Sequence, residues 1–171
     1  FSLIIAIGIF VYRALALVSL DSDDVRLYYG SSTETMVYSR TWDDSGASWE
    51  TATTTIDASS TIFWTINKTS PTSTEEIVGV LASTTVGNLN IFRYNGSTWS
   101  LDWFSATTSV SIVGRRSFDI EFETKSGDAM VVYSVSSSNP AYRTRSGGSW
   151  SSETSVFSSA PGTGTVQWME L

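Results

Sequence analysis

The chain has 171 residues and a net charge of -7, and its residues are 41% hydrophobic, 13% aromatic and 16% charged. Its 10 basic residues form no run that would neutralise consecutive phosphates, so no nucleic-acid partner is expected. The absence of Cys and His from the sequence excludes disulfides, thiolate metal sites and the commonest general base. We therefore predict no cofactor and no metal site.

Residues 1–20, FSLIIAIGIFVYRALALVSL, form a hydrophobic segment with a single charge, on Arg13. At ~1.5 Å per residue, a helix of this length reaches roughly 30 Å, the thickness of a bilayer core. Because apolar side chains lie all around it, such a helix must be buried on every side. The segment predicts a long hydrophobic α-helix over residues 1–22. The side chains expected to pack this helix against its surroundings are Phe1, Leu3, Ile4, Ile7, Phe10, Val11, Arg13, Leu15 and Val18.

Two other interpretations of this segment stay open. The A-x-A-like site at Ala14–Ala16 is typical of cleaved secretory signals, although the segment lacks an initial Met and a basic n-region. An ordinary membrane anchor also accounts for the hydrophobicity, but it does not explain a chain that starts directly at Phe1.

The start Phe1-Ser2-Leu3-Ile4, followed by about sixteen mostly apolar residues, resembles the mature N-terminus of type IV pilins. In that family a peptidase cleaves just before such a residue, and the helix waits in the membrane until it packs in the centre of a helical filament. Bacterial pilins usually carry a glutamate at the fifth position, where this chain has Ile5, so it is more similar to archaeal or divergent pilins. The resemblance implies a structural subunit of an extracellular, cell-surface filament that serves adhesion or cell contact. Its partners would be copies of itself and, before assembly, the membrane.

Burying Arg13 in the predicted helix costs free energy, because a buried guanidinium needs a polar partner. We expect that partner outside its own helix, and the acidic residues Asp21, Asp23 and Asp24 of a neighbouring subunit are candidates. Lipid headgroups reached by the long side chain are the alternative.

A loose repeat runs through residues 23–171, which we predict to be a β-rich head. The tetrapeptide Gly-x-Ser/Thr-Trp recurs at intervals of about fifty residues, at 46–49, 96–99 and 147–150. This repeat indicates three related units, at about residues 25–60, 61–116 and 117–171. The glycine is expected to supply a positive φ in a tight turn and the Trp to start the returning strand. Residues 44–49 resemble the Asp-box turn of sialidase-like propellers, with Asp44 as the acid; that turn is structural.

Short β-prone runs bounded by turn residues predict strands over residues 61–67, 76–83, 89–94, 98–104, 117–123, 129–134 and 142–145. In the strand over residues 117–123, Phe118, Ile120 and Phe122 alternate with acidic residues, which predicts one solvent-exposed face. The predicted fold is mainly β, with one long N-terminal hydrophobic α-helix and an antiparallel β-sandwich or propeller-like head. Residues 165–171 either open a fourth unit or pair back with the first.

Candidate catalytic groups are few. Carboxylate pairs occur at Asp43–Asp44, at Glu75–Glu76 and along residues 119–123, and two carboxylates can hydrolyse a glycosidic bond. Alternating acids on a strand are more typical of a solvated face. We therefore predict that the chain is not an enzyme.

Two sequons, Asn67-Lys68-Thr69 and Asn95-Gly96-Ser97, are candidate glycosylation sites and are expected to be exposed, as an acceptor must be. The seven Trp side chains are candidates for stacking on sugar rings, with core packing as the alternative. The alternative to a filament subunit is thus a membrane-anchored, cell-surface carbohydrate-binding module, and a third candidate is a fragment of a secreted glycan hydrolase.

Overall fold

The computed structural model describes residues 12–19, 25–31, 35–60, 62–82, 88–104, 116–135, 138–164, 166 and 168–171, and of residues 12–19 it describes the backbone alone. These residues form fourteen β-strands in three antiparallel sheets, and no helix occurs among them.

Each sheet consists of strands that follow one another along the chain. Sheet 1 contains β1 (Tyr12–Ser19), β2 (Val25–Ser31), β3 (Met36–Asp43), β4 (Ser48–Trp49) and β5 (Thr53–Asp57). Sheet 2 contains β6 (Ile62–Thr69), β7 (Glu76–Ala82), β8 (Asn88–Tyr94) and β9 (Trp99–Phe104). Sheet 3 contains β10 (Phe118–Phe122), β11 (Ala129–Tyr133), β12 (Ala141–Ser146), β13 (Ser149–Trp150) and β14 (Thr154–Ser155). In sheets 1 and 3 the last two short strands share one edge, because β4 and β5 both pair with β3, and β13 and β14 both pair with β12.

The first strands of the three sheets lie side by side. β6 contacts β1 on one side and β10 on the other. Successive antiparallel sheets, here of five, four and five strands, that lie side by side along their first strands are arranged as blades are in a β-propeller.

The predicted N-terminal helix is wrong. Residues 12–19 form β1, which pairs antiparallel with β2 from Tyr12 opposite Ser31 to Ser19 opposite Val25. The physical reason is that a strand with neighbours on both sides also has a continuous hydrophobic sequence, so periodicity cannot distinguish it from a buried helix. The type IV pilin resemblance and the filament subunit rested on that helix, and both are therefore wrong as well.

The residues assigned to that helix divide into two groups. Arg13, Leu15 and Val18 belong to β1. The others lie outside the described residues, as do the acids proposed as partners of Arg13: Phe1, Leu3, Ile4, Ile7, Phe10, Val11, Asp21, Asp23 and Asp24. The described residues include no helix that could span a bilayer.

Two hydrophobic clusters join the sheets. Between sheets 1 and 2 the buried side chains are Tyr28, Val37, Ile56, Ala58, Ile62, Val78, Val80, Ala82 and Phe92. Between sheets 2 and 3 they include Ile77, Leu81, Leu89, Ile91, Phe118, Ile120, Phe122, Val131 and Tyr133. Alternate residues of β7 enter the two clusters, so that all seven of its residues are buried. Sheet 2 is therefore the middle layer of the described structure.

The four strands predicted for the second unit are present as β6 to β9, with ends within two residues of those predicted. The solvent-exposed face predicted for β10 is wrong at Asp119, which is 1% exposed. Its carboxylate pairs with Arg116 at 2.8 Å and accepts a hydrogen bond from the backbone N–H of Leu171 at 2.7 Å. Residues 168–171 thus lie against the start of β10, where Met169 N–H also donates to the Arg116 carbonyl.

The first repeat turn is built differently from the Asp-box prediction. The carboxylate that holds it belongs to Asp43, whose Oδ1 accepts from Ser45 Oγ at 2.6 Å and from the Gly46 N–H at 3.0 Å. The positive φ, 47°, falls on Ala47. A Cβ at Gly46 would lie 2.7 Å from Oδ2 of the Asp43 carboxylate, so a larger residue there would displace that carboxylate.

Candidate functional site

A cavity of about 270 Å³ opens between sheets 1 and 2. Three β-strands of sheet 1, the loop before β5, and the adjoining ends of β8 and β9 in sheet 2 contribute its walls. The lining residues are Arg26, Ser39, Thr41, Glu50, Thr53, Tyr94 and Trp99. We call this cavity the inter-sheet pocket.

A hydrogen-bonded group of buried side chains holds Arg26 at the pocket. Arg26 Nη1 lies 2.5 Å from Glu76 Oε1, and the Tyr28 hydroxyl donates to Glu76 Oε2 at 2.6 Å. The Glu76 side chain is 5% exposed and that of Arg26 is 24% exposed. Because Glu76 is buried and paired on both oxygens, it fixes the guanidinium in place and compensates its charge.

The protonation states of this group follow from its surroundings. Burial, followed by the charge of Glu76 and the hydrogen bond to it, raises the pKa of Tyr28 well above its ordinary value. Burial acts to lower the pKa of Arg26, but the hydrogen bond to Tyr28 and the negative charge of Glu76 outweigh it, and the net shift is upward. At neutral pH the pocket therefore presents the charged guanidinium of Arg26, and the neutral phenol of Tyr28 lies buried behind it.

Two aromatic rings form one wall of the pocket. The rings of Tyr94 and Trp99 have centroids 5.4 Å apart, and Trp99 packs edge-on against Tyr28 at 5.8 Å. The second copy of the repeat positions Trp99, since the Asn95 side-chain oxygen accepts from the N–H groups of Ser97 and Thr98, at 3.0 and 2.9 Å, immediately before it. Trp99 is thus held by packing on one side and by its turn on the other.

Small polar groups form the opposite wall. The hydroxyls of Ser39 and Thr53 lie 3.1 Å apart on the neighbouring strands β3 and β5. The Arg40 Nε donates to the Glu50 carbonyl at 3.0 Å and so fixes the loop that carries the exposed Glu50 side chain. This wall offers hydroxyl donors and a carboxylate acceptor opposite the two rings.

A second polar group lies between sheets 2 and 3. Arg145, whose side chain is 5% exposed, donates from Nε to Asp102 at 2.9 Å and lies 3.5 Å from Glu75. Trp150 Nε1 donates to the same Asp102 oxygen at 2.7 Å, and Glu75 also pairs with Arg93. These contacts tie the third copy of the repeat to sheet 2.

The carboxylate pair predicted at Glu75–Glu76 is divided between the two sides of sheet 2. Glu76 bonds to Arg26 of sheet 1, whereas Glu75 bonds to Arg145 of sheet 3. Neighbouring residues of an extended chain point to opposite faces, so these two acids cannot act on one bond. The described residues also contain no group of three or more acids that could hold a metal ion.

The two predicted glycosylation sites differ in the structure. Asn67 is 5% exposed and lies on β6, where its side-chain N–H approaches Glu76 Oε2 at 3.5 Å, so its expected exposure is wrong. Asn95 is exposed at the turn before Trp99. Glycosylation of Asn95 stays a prediction.

Sequence reasoning named Trp99 among its aromatic candidates but did not single out Arg26, Glu50 or Tyr94. The repeat was the signal for Trp99 and for its neighbour Tyr94. Arg26 and Glu50 come from a different sheet, and no local pattern links them to that turn.

Comparison with known proteins bears on the fold alone. No family model matches the sequence, and no curated protein matches it as a relative. Among solved structures, the chain is similar to an α-L-arabinofuranosidase from Fusarium graminearum in complex with an iminosugar inhibitor, with a TM-score of 0.61 and 9% sequence identity. The similarity covers 88% of this chain and 50% of that one, so this chain spans about half the length of its structural neighbour. The neighbour has a β fold like this one and does not support a pilin.

Proposed function

We propose that this protein is a carbohydrate-binding module, and that the inter-sheet pocket takes one sugar residue of a glycan. The observation that carries the proposal is the combination of two aromatic rings, Tyr94 and Trp99, with hydroxyl and charged groups on the facing wall. Aromatic rings stack on the apolar face of a sugar, while its hydroxyls need donors and acceptors around the rim. The volume of about 270 Å³ suits one small polar ligand.

Arg26 supplies the fixed donor of the site. Its guanidinium is already oriented by Glu76 and Tyr28, so binding a ligand oxygen would not require ordering a free side chain. The Ser39 and Thr53 hydroxyls, which bond to each other, make the wall around the guanidinium polar. This mixture suits neutral sugar hydroxyls better than a strongly charged ligand.

The site supports binding without hydrolysis. Glycoside hydrolysis ordinarily needs two carboxyl groups flanking the bond. Of the described residues that line the pocket, Glu50 alone carries a carboxyl group, and the nearby Glu76 is engaged by Arg26 and Tyr28. That the protein is not an enzyme is part of this proposal.

The structural neighbour adds support, because it is an arabinofuranosidase with an iminosugar inhibitor bound and thus holds a sugar-like ligand on a similar fold. An extracellular place of action, expected from the sequence for a carbohydrate-binding module of the cell surface, is part of the same proposal.

A glycan array followed by calorimetry with the best ligand tests the proposal. We expect saturable binding to a defined glycan, and Trp99→Ala should weaken it at least tenfold, equivalent to about 1.4 kcal/mol, through loss of stacking. The matched control is Trp168→Ala, because Trp168 is 61% exposed and does not line the pocket. Equal losses in both variants, or no glycan bound at all, would refute the assignment.

Since Trp99 also packs on Tyr28, a second variant separates binding from folding. Glu50→Gln changes an exposed carboxylate of the rim and should reduce affinity while the melting temperature stays unchanged. An assay with an aryl α-L-arabinofuranoside tests the proposal that the protein is not an enzyme. Turnover of this substrate above background would overturn that proposal.

A further inference from the structure

The turn between β8 and β9 contains a chemically reactive pair, Asn95-Gly96. Of the asparagines in the sequence, Asn95 alone is followed by Gly. The backbone nitrogen of the residue after an Asn can attack the side-chain amide carbon, and Gly hinders this attack least because it has no Cβ. Gly96 has a φ of 90°, and a Cβ there would lie 2.6 Å from Thr74 Oγ1, so the turn itself requires Gly at this position.

The hydrogen bonds of the turn favour this attack. Asn95 Oδ1 accepts from the N–H groups of Ser97 and Thr98, at 3.0 and 2.9 Å. The bond to Ser97 closes a ring that contains the Gly96 nitrogen, and it therefore keeps the amide close to that nitrogen. During the attack, negative charge develops on Oδ1, where the two N–H groups already point, so they stabilise it as an oxyanion hole does.

The other asparagines of the chain lack this arrangement. Asn67 is 5% exposed, and Asn139 precedes a Pro, which has no backbone N–H to lose. Asn88 and Asn90 lie on β8, and each is followed by a fully buried residue. Asn95, in contrast, is exposed, so water reaches its side chain.

We propose that Asn95 deamidates spontaneously and that its product weakens sugar binding in the inter-sheet pocket; the second part rests on the proposed function. The Gly96 nitrogen loses its proton and bonds to Cγ of Asn95, while the bond from Cγ to Nδ2 breaks and Nδ2 leaves as ammonia. Water then adds to one of the two carbonyls of the cyclic imide and opens the ring. The product at position 95 is aspartate or isoaspartate, and no oxidation or reduction takes place.

This reaction changes one wall of the pocket, because Tyr94 and Trp99 flank the turn with ring centroids 5.4 Å apart. In isoaspartate the chain runs through the former side chain, which adds one methylene to the backbone between the two rings. The former Oδ1 then becomes a backbone carbonyl, so the hydrogen bonds that position Trp99 are rebuilt. Both products also add a carboxylate beside the pocket.

Peptide mapping by mass spectrometry tests the modification, on the 171-residue chain incubated in mildly alkaline buffer from an unmodified mass of 18.6 kDa. We expect Asn95 to exchange its NH₂ for OH at least about tenfold faster than Asn88, because stabilising a developing oxyanion is worth an order of magnitude or more in rate. Asn88 is the internal control, since it is also exposed. An Asn95 amide that lasts as long as that of Asn88 overturns the proposal.

Calorimetry with the glycan that the fresh chain binds tests the effect on the pocket. The fraction of chains able to bind should fall in step with the fraction deamidated. Asn95→Ser is the matched variant, because its hydroxyl accepts from the same turn but offers no amide carbon, and it should keep its binding through the same incubation. Binding that persists in fully deamidated chains, or an equal loss in Asn95→Ser, overturns the effect on the pocket.

The two readouts separate this inference from the proposed function, since the mass change is measured without a ligand. A chain that deamidates at Asn95 but binds no glycan even when fresh refutes the proposed function and confirms the modification. A chain that binds a glycan while its Asn95 amide stays intact refutes the modification alone.

Discussion

Two buried tyrosines occupy matching positions in the two junctions between sheets. Tyr28 on β2 donates to Glu76, and Tyr133 on β11 donates to Glu153 at 2.7 Å. Both rings are fully buried in their hydrophobic clusters. In each junction a phenol hydroxyl therefore reaches a carboxylate at the edge of an apolar core, which satisfies its hydrogen bond.

Tyr133 should make the protein sensitive to high pH. Burial, followed by the hydrogen bond to Glu153, raises the pKa of Tyr133 from 10.0 to about 12. A group whose pKa is raised on folding stabilises the fold below its unfolded pKa and loses that effect as the pH rises through its folded pKa. We expect the free energy of unfolding to fall between pH of about 10 and 12, measured by denaturant titration.

The Tyr133→Phe variant isolates this effect. Its free energy of unfolding should depend less on pH over the same range, and a weaker dependence should persist because the pKa of Tyr28 is also raised. The same pH dependence in Tyr133→Phe and in the parent chain would show that Tyr133 does not titrate there.

Asp43 should stabilise the first repeat turn. Its carboxylate accepts hydrogen bonds from Ser45 and Gly46, and these bonds lower the pKa of Asp43. Asp43→Ala should lower the melting temperature, because it removes both of these bonds from the turn. An unchanged melting temperature in a thermal scan would show that the Asp43 carboxylate does not hold the turn.

At the scale of the element, β7 has no room for a side chain at Gly79. A Cβ at Gly79 would lie 2.5 Å from the ring of Phe118 and 2.6 Å from Cδ1 of Ile120, both in the core between sheets 2 and 3. The glycine therefore allows β7 and β10 to approach closely.

Gly79→Ala should destabilise the protein by about 1–3 kcal/mol, the usual cost of overpacking a core. Gly162→Ala is the matched control, because a Cβ at Gly162 has nothing within 4 Å and should change the stability little. Denaturant unfolding measures both, and equal stabilities would mean that β10 moves aside without cost.

At the scale of the whole molecule, ion pairs of two kinds connect the sheets. The Arg145–Asp102 pair is buried, with side chains 5% and 15% exposed, while the Lys68–Glu121 pair is 33% and 43% exposed. Arg145 Nη2 is buried and has no hydrogen-bond partner among the described residues, so Arg145 depends on Asp102 and Glu75 for compensation. The Arg145–Asp102 pair should therefore contribute much more to the free energy of unfolding than the Lys68–Glu121 pair.

Asp102→Ala should cost about 3–5 kcal/mol, because it leaves a buried guanidinium with part of its compensation removed. Lys68→Gln, the control in an exposed pair, should cost less than about 1 kcal/mol. Equilibrium unfolding of both variants provides the comparison. Similar costs would mean that water reaches Arg145 when Asp102 is removed.

The sequence by itself determined the local features of the chain. Turn residues and β-prone runs were enough to place β6 to β9, and the repeated Trp marked the turn that carries Trp99. These features depend on contacts between residues close together in the chain, so a short stretch of sequence is sufficient to predict them.

Only the tertiary structure decided the features that depend on neighbours distant in sequence. A hydrophobic segment such as residues 12–19 forms a strand because β2 and β6 lie beside it. Its composition alone also suits a helix. Likewise, burial of Asn67 and the separation of Glu75 from Glu76 follow from the sheets packed on either side of sheet 2. The inter-sheet pocket arises in the same way, since Arg26 and Trp99 meet only when sheets 1 and 2 pack together.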